Sequence, residues 1–347
     1  MEVVNESRVP IASLSTHSVR TPWWPVALSE QVGGKTPLGV VCNGECAVLY
    51  RDPAGQVRAL EDRCRHRRAP LSLGRITANG ELQCGYHGWT YDGASGMCTA
   101  IPNLSADERV PAHYAVQSYR VVECGGFVFI RKAGTDENAP LDVSPPRLDV
   151  GRRFQGSVTV GMAYDDYLAA LADGPHLLMR IALVRITNYV CADPAAREGR
   201  VTMERGVVWA ARRRNHRFVT DYPWTLRLAC EGNGTTVSVE LLTRDEAPAI
   251  VATVGIAPAA RGATAVHWRG AVSASARGGG AALLRAWAGA RRSPFRMLSY
   301  VDGHALARLE RLYSDQWLRH WQSVTTVAAA EPVRALRKGT IDGEYSV

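Results

Sequence analysis

No run of about eighteen apolar residues occurs in the sequence, so no membrane-spanning helix is expected. The opening MEVVNESRVPIAS has neither the basic n-region nor the apolar h-region of a secretory signal. Disulfide patterning is missing as well. Cys42, Cys46, Cys98, Cys124, Cys191 and Cys230 follow no bridging framework, which fits a reducing, cytoplasmic setting. Cys42 and Cys46 flank NGE and are expected at a hairpin rather than at a second metal site. The net charge of +8 is carried by arginine, yet the densest basic run, RRRNHR at Arg212 to Arg217, has no interleaved stacking aromatics. That run reads as a solvated loop between strands, and nucleic acid is excluded as the expected partner. What remains is a chain of 347 residues, long enough for two domains with cores of their own.

The informative stretch runs from Cys64 to His87. CRH at Cys64 to His66 is followed by seventeen residues and then by CGYHGW at Cys84 to Trp89. Two Cys-His pairs on separate loops suit a 2Fe-2S cluster with two thiolates on one iron and two imidazoles on the other. Imidazole is neutral where thiolate is anionic, so such a centre has a higher reduction potential than an all-Cys one. Sulfur and nitrogen donors at these spacings also suit zinc, and the flanking residues have to decide.

Those flanks resemble the two cluster-binding loops of Rieske non-heme iron oxygenases. CRHRRAPLSLG matches the first loop through Arg67, Ala69, Pro70 and Leu71, and CGYHGWTYD matches the second through Tyr86, Gly88 and Trp89. Rieske proteins of the cytochrome bc type carry an extra Cys in each loop. Ala69 and Tyr86 stand there in this chain, which disfavours the respiratory type. Trp23, Trp24 and Pro25 are similar to the opening of the oxygenase family, and the whole is most similar to the demethylating monooxygenases, such as dicamba and vanillate O-demethylases and methylxanthine N-demethylases.

The resemblance implies Cys64, His66, Cys84 and His87 as ligands of a 2Fe-2S cluster, reduced by a reductase or ferredoxin. It also implies a mononuclear Fe(II) held by two His and one carboxylate. The family pattern for the first two iron ligands, Asp, two residues, His, four residues, His, is met at Asp173 and His176. Ile181 stands at the second His position, and no other His lies between His176 and His216. The third ligand falls on Asp302 in SYVDGHALARLERLY, where a helix cap is an equal reading of the same residue. His304 is a substitute candidate, set against a surface histidine on a polar face. By position Asp173 and His87 would form the bridge that carries electrons from cluster to iron in a neighbouring subunit. The implied assembly is a homotrimer or a hetero-oligomer with a related subunit.

Along the chain, the first twenty residues read as a polar arm and residues 21–140 as a small all-β domain carrying the cluster. Its strands lie in GVVCNGECAVLYR, with NG as the turn, in VRALED, in ELQC and in FVFIRK. The Pro-rich AGTDENAPLDVSPP from Ala133 to Pro146 is expected to hold the boundary. Residues 150–347 read as an oxygenase-like catalytic domain. SVTVGMAY is strand-like, MAYDDYLAALAD helical up to Gly174 and Pro175, and five alternating segments from GRVTMERGVVWAAR to ATAVHWRGAVSA form an antiparallel sheet. The stretch from Gly279 to about Trp321 reads as helix interrupted at Pro294. The fold class is therefore α+β, with a helix-grip second domain in which the sheet wraps a long C-terminal helix. His267 is expected as a satisfied histidine in that sheet, with pocket lining as the alternative.

Two functions fit. One is a monooxygenase that takes electrons from an acidic ferredoxin or flavin reductase and hydroxylates or demethylates a small organic substrate; a basic surface suits such a donor. The other is a non-catalytic Rieske electron-transfer or scaffolding subunit whose mononuclear iron site has decayed at Ile181.

Overall fold

The computed structural model describes residues 22–105, 108–132, 151–197, 200–209, 224–231, 235–289, 293–309 and 311–318. The arm over 1–20, the expected boundary from Ala133 to Pro146, the RRRNHR run and Trp321 at the end of the expected helix lie outside these residues.

Ten short strands come first: β1 (Trp24–Leu28), β2 (Leu38–Cys42), β3 (Glu45–Arg51), β4 (Val57–Glu61), β5 (Arg75–Ile76), β6 (Leu82–Gln83), β7 (Thr90–Tyr91), β8 (Cys98–Ala100), β9 (Tyr119–Cys124) and β10 (Phe127–Lys132). They form three antiparallel sheets, ordered β1-β10-β9, β2-β3-β4 and β5-β6-β7-β8. Asn43 and Gly44 both take positive φ, 51° and 77°, so the expected NG hairpin joins β2 to β3 through a turn whose twist matches its strands. Cys42 lies on the buried side of that hairpin and Cys46 on the exposed side, so the two do not converge.

The second group is one sheet of eight strands. Its members are β11 (Arg152–Val160), β13 (Val184–Cys191), β14 (Ala195–Arg197), β15 (Arg200–Trp209), β16 (Trp224–Glu231), β17 (Thr236–Leu242), β18 (Pro248–Pro258) and β19 (Thr264–Val272); β12 (Met179–Ile181) pairs elsewhere. The order is β11-β19-β18-β17-β16-β15-β13, with β14 beside β15. Alternation makes one face apolar. Met203, Leu228, Val239, Ala252 and Gly270 form one rung, and Arg205, Leu226, Leu241, Ile250 and Val272 form the next on the same side. This inner face packs on α1 (Tyr164–Asp173) through Tyr167, Leu168 and Leu171 and on α3 (Gly279–Gly289) through Ala281 and Leu284. Asp165 and Asp166 sit in the first turn of α1, where the helix dipole favours negative charge. Gly174 breaks the helix, and Pro175 opens α2 (Pro175–Leu178) at a position where a missing N–H leaves no bond unmade.

Within the stretch expected to carry the long C-terminal helix, the described part is segmented. After α3 the chain passes Pro294 and becomes a strand, β20 (Phe295–Met297), paired with β12 through Met179–Met297 and Ile181–Phe295. Proline disfavours helix at the residue before it, and the Pro294 carbonyl instead accepts the Ala182 N–H at 2.8 Å. Among the described residues beyond that point, α4 (Gly303–Ala307) and residues 314–318 are helical. The remaining architecture matches the expectation: a small all-β part followed by a curled antiparallel sheet with few helices. Among the described residues no helix is long and apolar enough to cross a membrane.

The outer face of β18 and β19 carries the first group of strands. A Cβ on Gly126 would fall on the Arg269 guanidinium, whose other nitrogen holds Glu30 at 3.1 Å, so only glycine admits this approach. The turn before β3 gives two N–H groups, Asn43 and Gly44, to Pro258 and Ala259 at 2.7 Å each. Next to this contact a polar relay crosses the seam. Leu28 N–H and Ser157 O–H both donate to Gln31 Oε1, so His267 Nδ1–H is left to donate to Ser157 Oγ at 2.9 Å. His267 is thus a sheet histidine on the outer face, half satisfied, with its Nε2 buried and without a partner.

Burial lowers the His267 pKa to about 4 from 6.5, because it withdraws the imidazole from solvent and so disfavours the charged form. Between those values the unfolded chain takes up a proton that the folded chain does not. Stability is therefore full above pH 6.5 and falls as the pH drops toward 4, by on the order of 3 kcal/mol. Thermal unfolding of the natural protein and His267→Gln across pH 4–7 checks this. The variant should show the shallower slope, and identical slopes would remove the assigned cause.

Candidate metal centre

The strands place two loops side by side. The first follows β4 and spans residues 62–74; the second, residues 84–89, joins β6 to β7. Each is closed by the same pair of backbone hydrogen bonds. Cys64 N–H donates to Ala69 O at 2.9 Å and Arg68 N–H returns to Cys64 O at 2.9 Å. Cys84 N–H donates to Trp89 O at 2.8 Å and Gly88 N–H returns to Cys84 O at 3.1 Å. The fourth residue after each Cys has positive φ, 72° at Gly88 and 58° at Arg68. Glycine adopts this freely; arginine there costs roughly 1–2 kcal/mol, which the rest of the loop has to offset. Asp62 supplies part of that, accepting the Ser72 N–H at 2.7 Å and its hydroxyl at 2.6 Å across the first loop's base.

The geometry gathers the four residues that the sequence singled out. Cys64 and Cys84 are both buried and their thiols lie within hydrogen-bonding reach of each other. His66 and His87 stand outside them at the exposed tip, ring centroids 4.6 Å apart. Trp89 stacks on His66 at 5.0 Å with only 2° between planes, fixing the ring's tilt, and Tyr86 lies 3.8 Å from His87. Among the described residues no three His, Cys, Asp or Glu side chains converge on one point, as a single ion would need. A sulfur pair inside and an imidazole pair outside instead fit a two-iron centre with two protein ligands per iron.

Electrostatics fit the same division. Burial, then the neighbouring Cys84, raises the pKa of the metal-free Cys64 thiol, while the Tyr91 hydroxyl 3.2 Å from its sulfur opposes that rise. Tyr91 also accepts the Arg65 N–H at 3.0 Å, so its own proton is directed at the sulfur, and burial keeps that proton on by raising its pKa. At the tip, partial desolvation, His87 and Arg67 lower the pKa of His66 and hold it neutral, the form in which imidazole binds a metal.

The residues proposed for a mononuclear iron are not gathered. Asp173 is 4% exposed and accepts the Tyr313 N–H at 2.8 Å and the Ser314 N–H at 3.2 Å, at the start of the helical residues 314–318. Asp302 is exposed and caps α4, accepting the His304 N–H at 3.0 Å; His304 itself is exposed. His176 lies on α2 with its Nδ1 buried and without a partner. Ile181 belongs to the apolar core opposite Phe295, 4% exposed. One residue of this region escaped notice in the sequence: Arg205, 2% exposed, at an inward rung of β15 between Met203 and Val207. The signal was present, since arginine there interrupts an alternating apolar series that begins at Val201.

Residues 22–120 match the family described as Rieske [2Fe-2S] domain. The oxygenase component of dicamba O-demethylase from Stenotrophomonas maltophilia is 44% identical over 112 residues, 32% of this chain and 32% of that protein. The chloroplastic protein TIC 55 of Arabidopsis thaliana is 38% identical over 125 residues, 36% of this chain and 22% of that protein. The matches to these curated relatives span about a third or less of their length. A crystal structure of dicamba monooxygenase bound to dicamba aligns over 90% of this chain and 99% of its own, with a TM-score of 0.58 and 21% identity, a likeness of fold.

Hydrogen bonds to a ligating sulfur stabilise the reduced, more negative state of such a centre. Tyr91→Phe should therefore keep the visible absorbance and lower the midpoint potential in a redox titration. An unchanged potential would mean that the hydroxyl serves only Arg65.

Proposed function

We propose that this chain, a Rieske 2Fe-2S domain joined to the curled antiparallel sheet seen in dicamba monooxygenase, is the oxidoreductase component of an oxygenase system. It takes electrons singly from an acidic ferredoxin or a flavin reductase and passes them on for hydroxylation or demethylation of a small organic molecule. The division between its domains, 21–140 and 150–347, falls in the Pro-rich Ala133–Pro146 segment, and the assembly is a homotrimer or a hetero-oligomer with a related subunit. The setting is cytoplasmic.

The observation that carries the reading is the pairing of Cys64 with Cys84 and of His66 with His87 on two matched turns. When bound there, a 2Fe-2S cluster supplies a one-electron carrier whose potential is raised by its two neutral ligands. The protein's part is to keep the sulfurs dry, to direct the Tyr91 proton at Cys64 and to present the histidines to a partner. Exposed Leu73 and Tyr86 beside the tip offer apolar contact, and exposed Arg65, Arg67 and Arg68 offer positive charge around it. The demethylase reading is taken from the dicamba relative.

A second reading, an electron-transfer or scaffolding subunit, is favoured by one specific arrangement. His176, Asp173 and Asp302 do not converge, and Ile181 is core. Both readings use the cluster in the same way and differ in where oxidation takes place.

The charge on the tip gives the test. Reduction by an acidic donor, followed by stopped-flow absorbance, should slow as salt rises, because screening contracts from about 30 Å at 0.01 M to about 8 Å at physiological strength. Arg67→Glu with Arg68→Glu should slow it at low salt and flatten the dependence. Rates indifferent to salt and to both charges would place the donor elsewhere.

A further inference from the structure

The inner face of the large sheet is apolar rung after rung, except where β15 turns Arg205 inward. Burying a guanidinium among Leu226, Leu241 and Ile250 is costly unless something meets its charge. The structure shows what does. One guanidinium nitrogen donates to the carbonyl of Ala172 in the last turn of α1, where carbonyl ends favour a cation, and contacts Met203 Sδ at 3.6 Å. Burial lowers the Arg205 pKa, and Cys191, then Asp173, the next residue after Ala172, and Tyr313 oppose that fall. On the other side lies His176, whose imidazole is kept neutral by burial and by the positive charge of Arg205 and Arg180.

This corner is where His176 would bind a metal ion and Asp173 would bridge to it. A divalent ion on His176 would meet the buried guanidinium of Arg205, which donates to Ala172 O at the end of α1. It would also find no imidazole at Ile181, which is core, and no carboxylate from Asp302, which caps α4 at the surface. Among the described residues the donor set does not fit a two-His-one-carboxylate site, and Arg205 already places a positive charge in this corner.

We propose that Arg205 stands in for the mononuclear ion, so that this chain carries two irons, both in the cluster, and passes its electrons to an iron held by a different chain with a complete ligand set. The proposal rests on the Rieske reading above and decides between its two versions. An oxygenase assembly would then contain two kinds of chain with the same fold, one supplying electrons and one supplying the oxidising iron.

Iron and acid-labile sulfide are counted on the full chain after anaerobic incubation with excess Fe(II) and desalting. Two irons and two sulfides are expected. Three irons with two sulfides overturn the proposal and leave the Rieske reading standing, whereas no labile sulfide overturns the Rieske reading itself. The stand-in role is read from thermal unfolding with and without Mn(II). Arg205→Ala should gain a Mn(II)-dependent rise in midpoint that the natural protein and Arg205→Lys lack. A folded Arg205→Ala with no such rise overturns the substitution of ion by guanidinium, and should that variant not fold, Arg205→Met takes its place beside the count.

Discussion

Charge removed from water has to be met by other charge or by hydrogen bonds, and two of the buried polar sites among the described residues are organised by that requirement. At the loop tips the Cys64 and Cys84 sulfurs are dry, and the Tyr91 hydroxyl and the closing turns answer them. Inside the large sheet the Asp173 carboxylate is dry, and two backbone N–H groups and the nearby Arg205 answer it. The first arrangement leaves a pair of sulfurs for metal to bind. The second uses its carboxylate internally, to hold the turn over 314–318 against the end of α1.

The same requirement shapes the seam between the two groups of strands. The outer face of β18 and β19 would expose Gly255 and His267 to water if it stood alone, and Pro25 and Phe127 cover it closely enough that a Cβ on Gly255 would lie 2.8 Å from Pro25 Cβ. Backbone bonds from Asn43 and Gly44 to Pro258 and Ala259, with the Arg269–Glu30 pair, fix the orientation at several separate points. The cluster loops lie beyond β4 and β6, and His66 and His87 remain exposed. A rigid support that leaves the histidines uncovered is what transfer of electrons between separate proteins needs.

Much of this was legible in the sequence because it is local. The NG turn, the alternating strands from Arg200 to Val272 and the break at Gly174 and Pro175 follow from residues a few positions apart. The loop ligands were legible for the same reason, each pair lying within one short motif. What escaped is long-range. Phe295–Met297 lies in a stretch that reads as helix and becomes a strand where Met179–Ile181 offers an edge more than a hundred residues away. Asp173 reads as the bridging aspartate from its spacing to His176, and the N–H groups it accepts, at Tyr313 and Ser314, bear no sequence relation to it. Arg205 was visible as an interruption of an apolar series, but its meaning depends on α1 ending directly above it.

The central claim is that two imidazoles and two thiolates hold one pair of irons at the loop tips. Pulsed electron–nuclear spectroscopy on the one-electron-reduced protein addresses it directly, because coordinated imidazole nitrogens couple to the unpaired electron and thiolates contribute none. Two distinct strongly coupled nitrogens are expected, one lost in His66→Cys and the other in His87→Cys, with the remaining coupling unchanged in each. A reduced signal without strong nitrogen coupling, or one that survives both substitutions intact, would contradict the account.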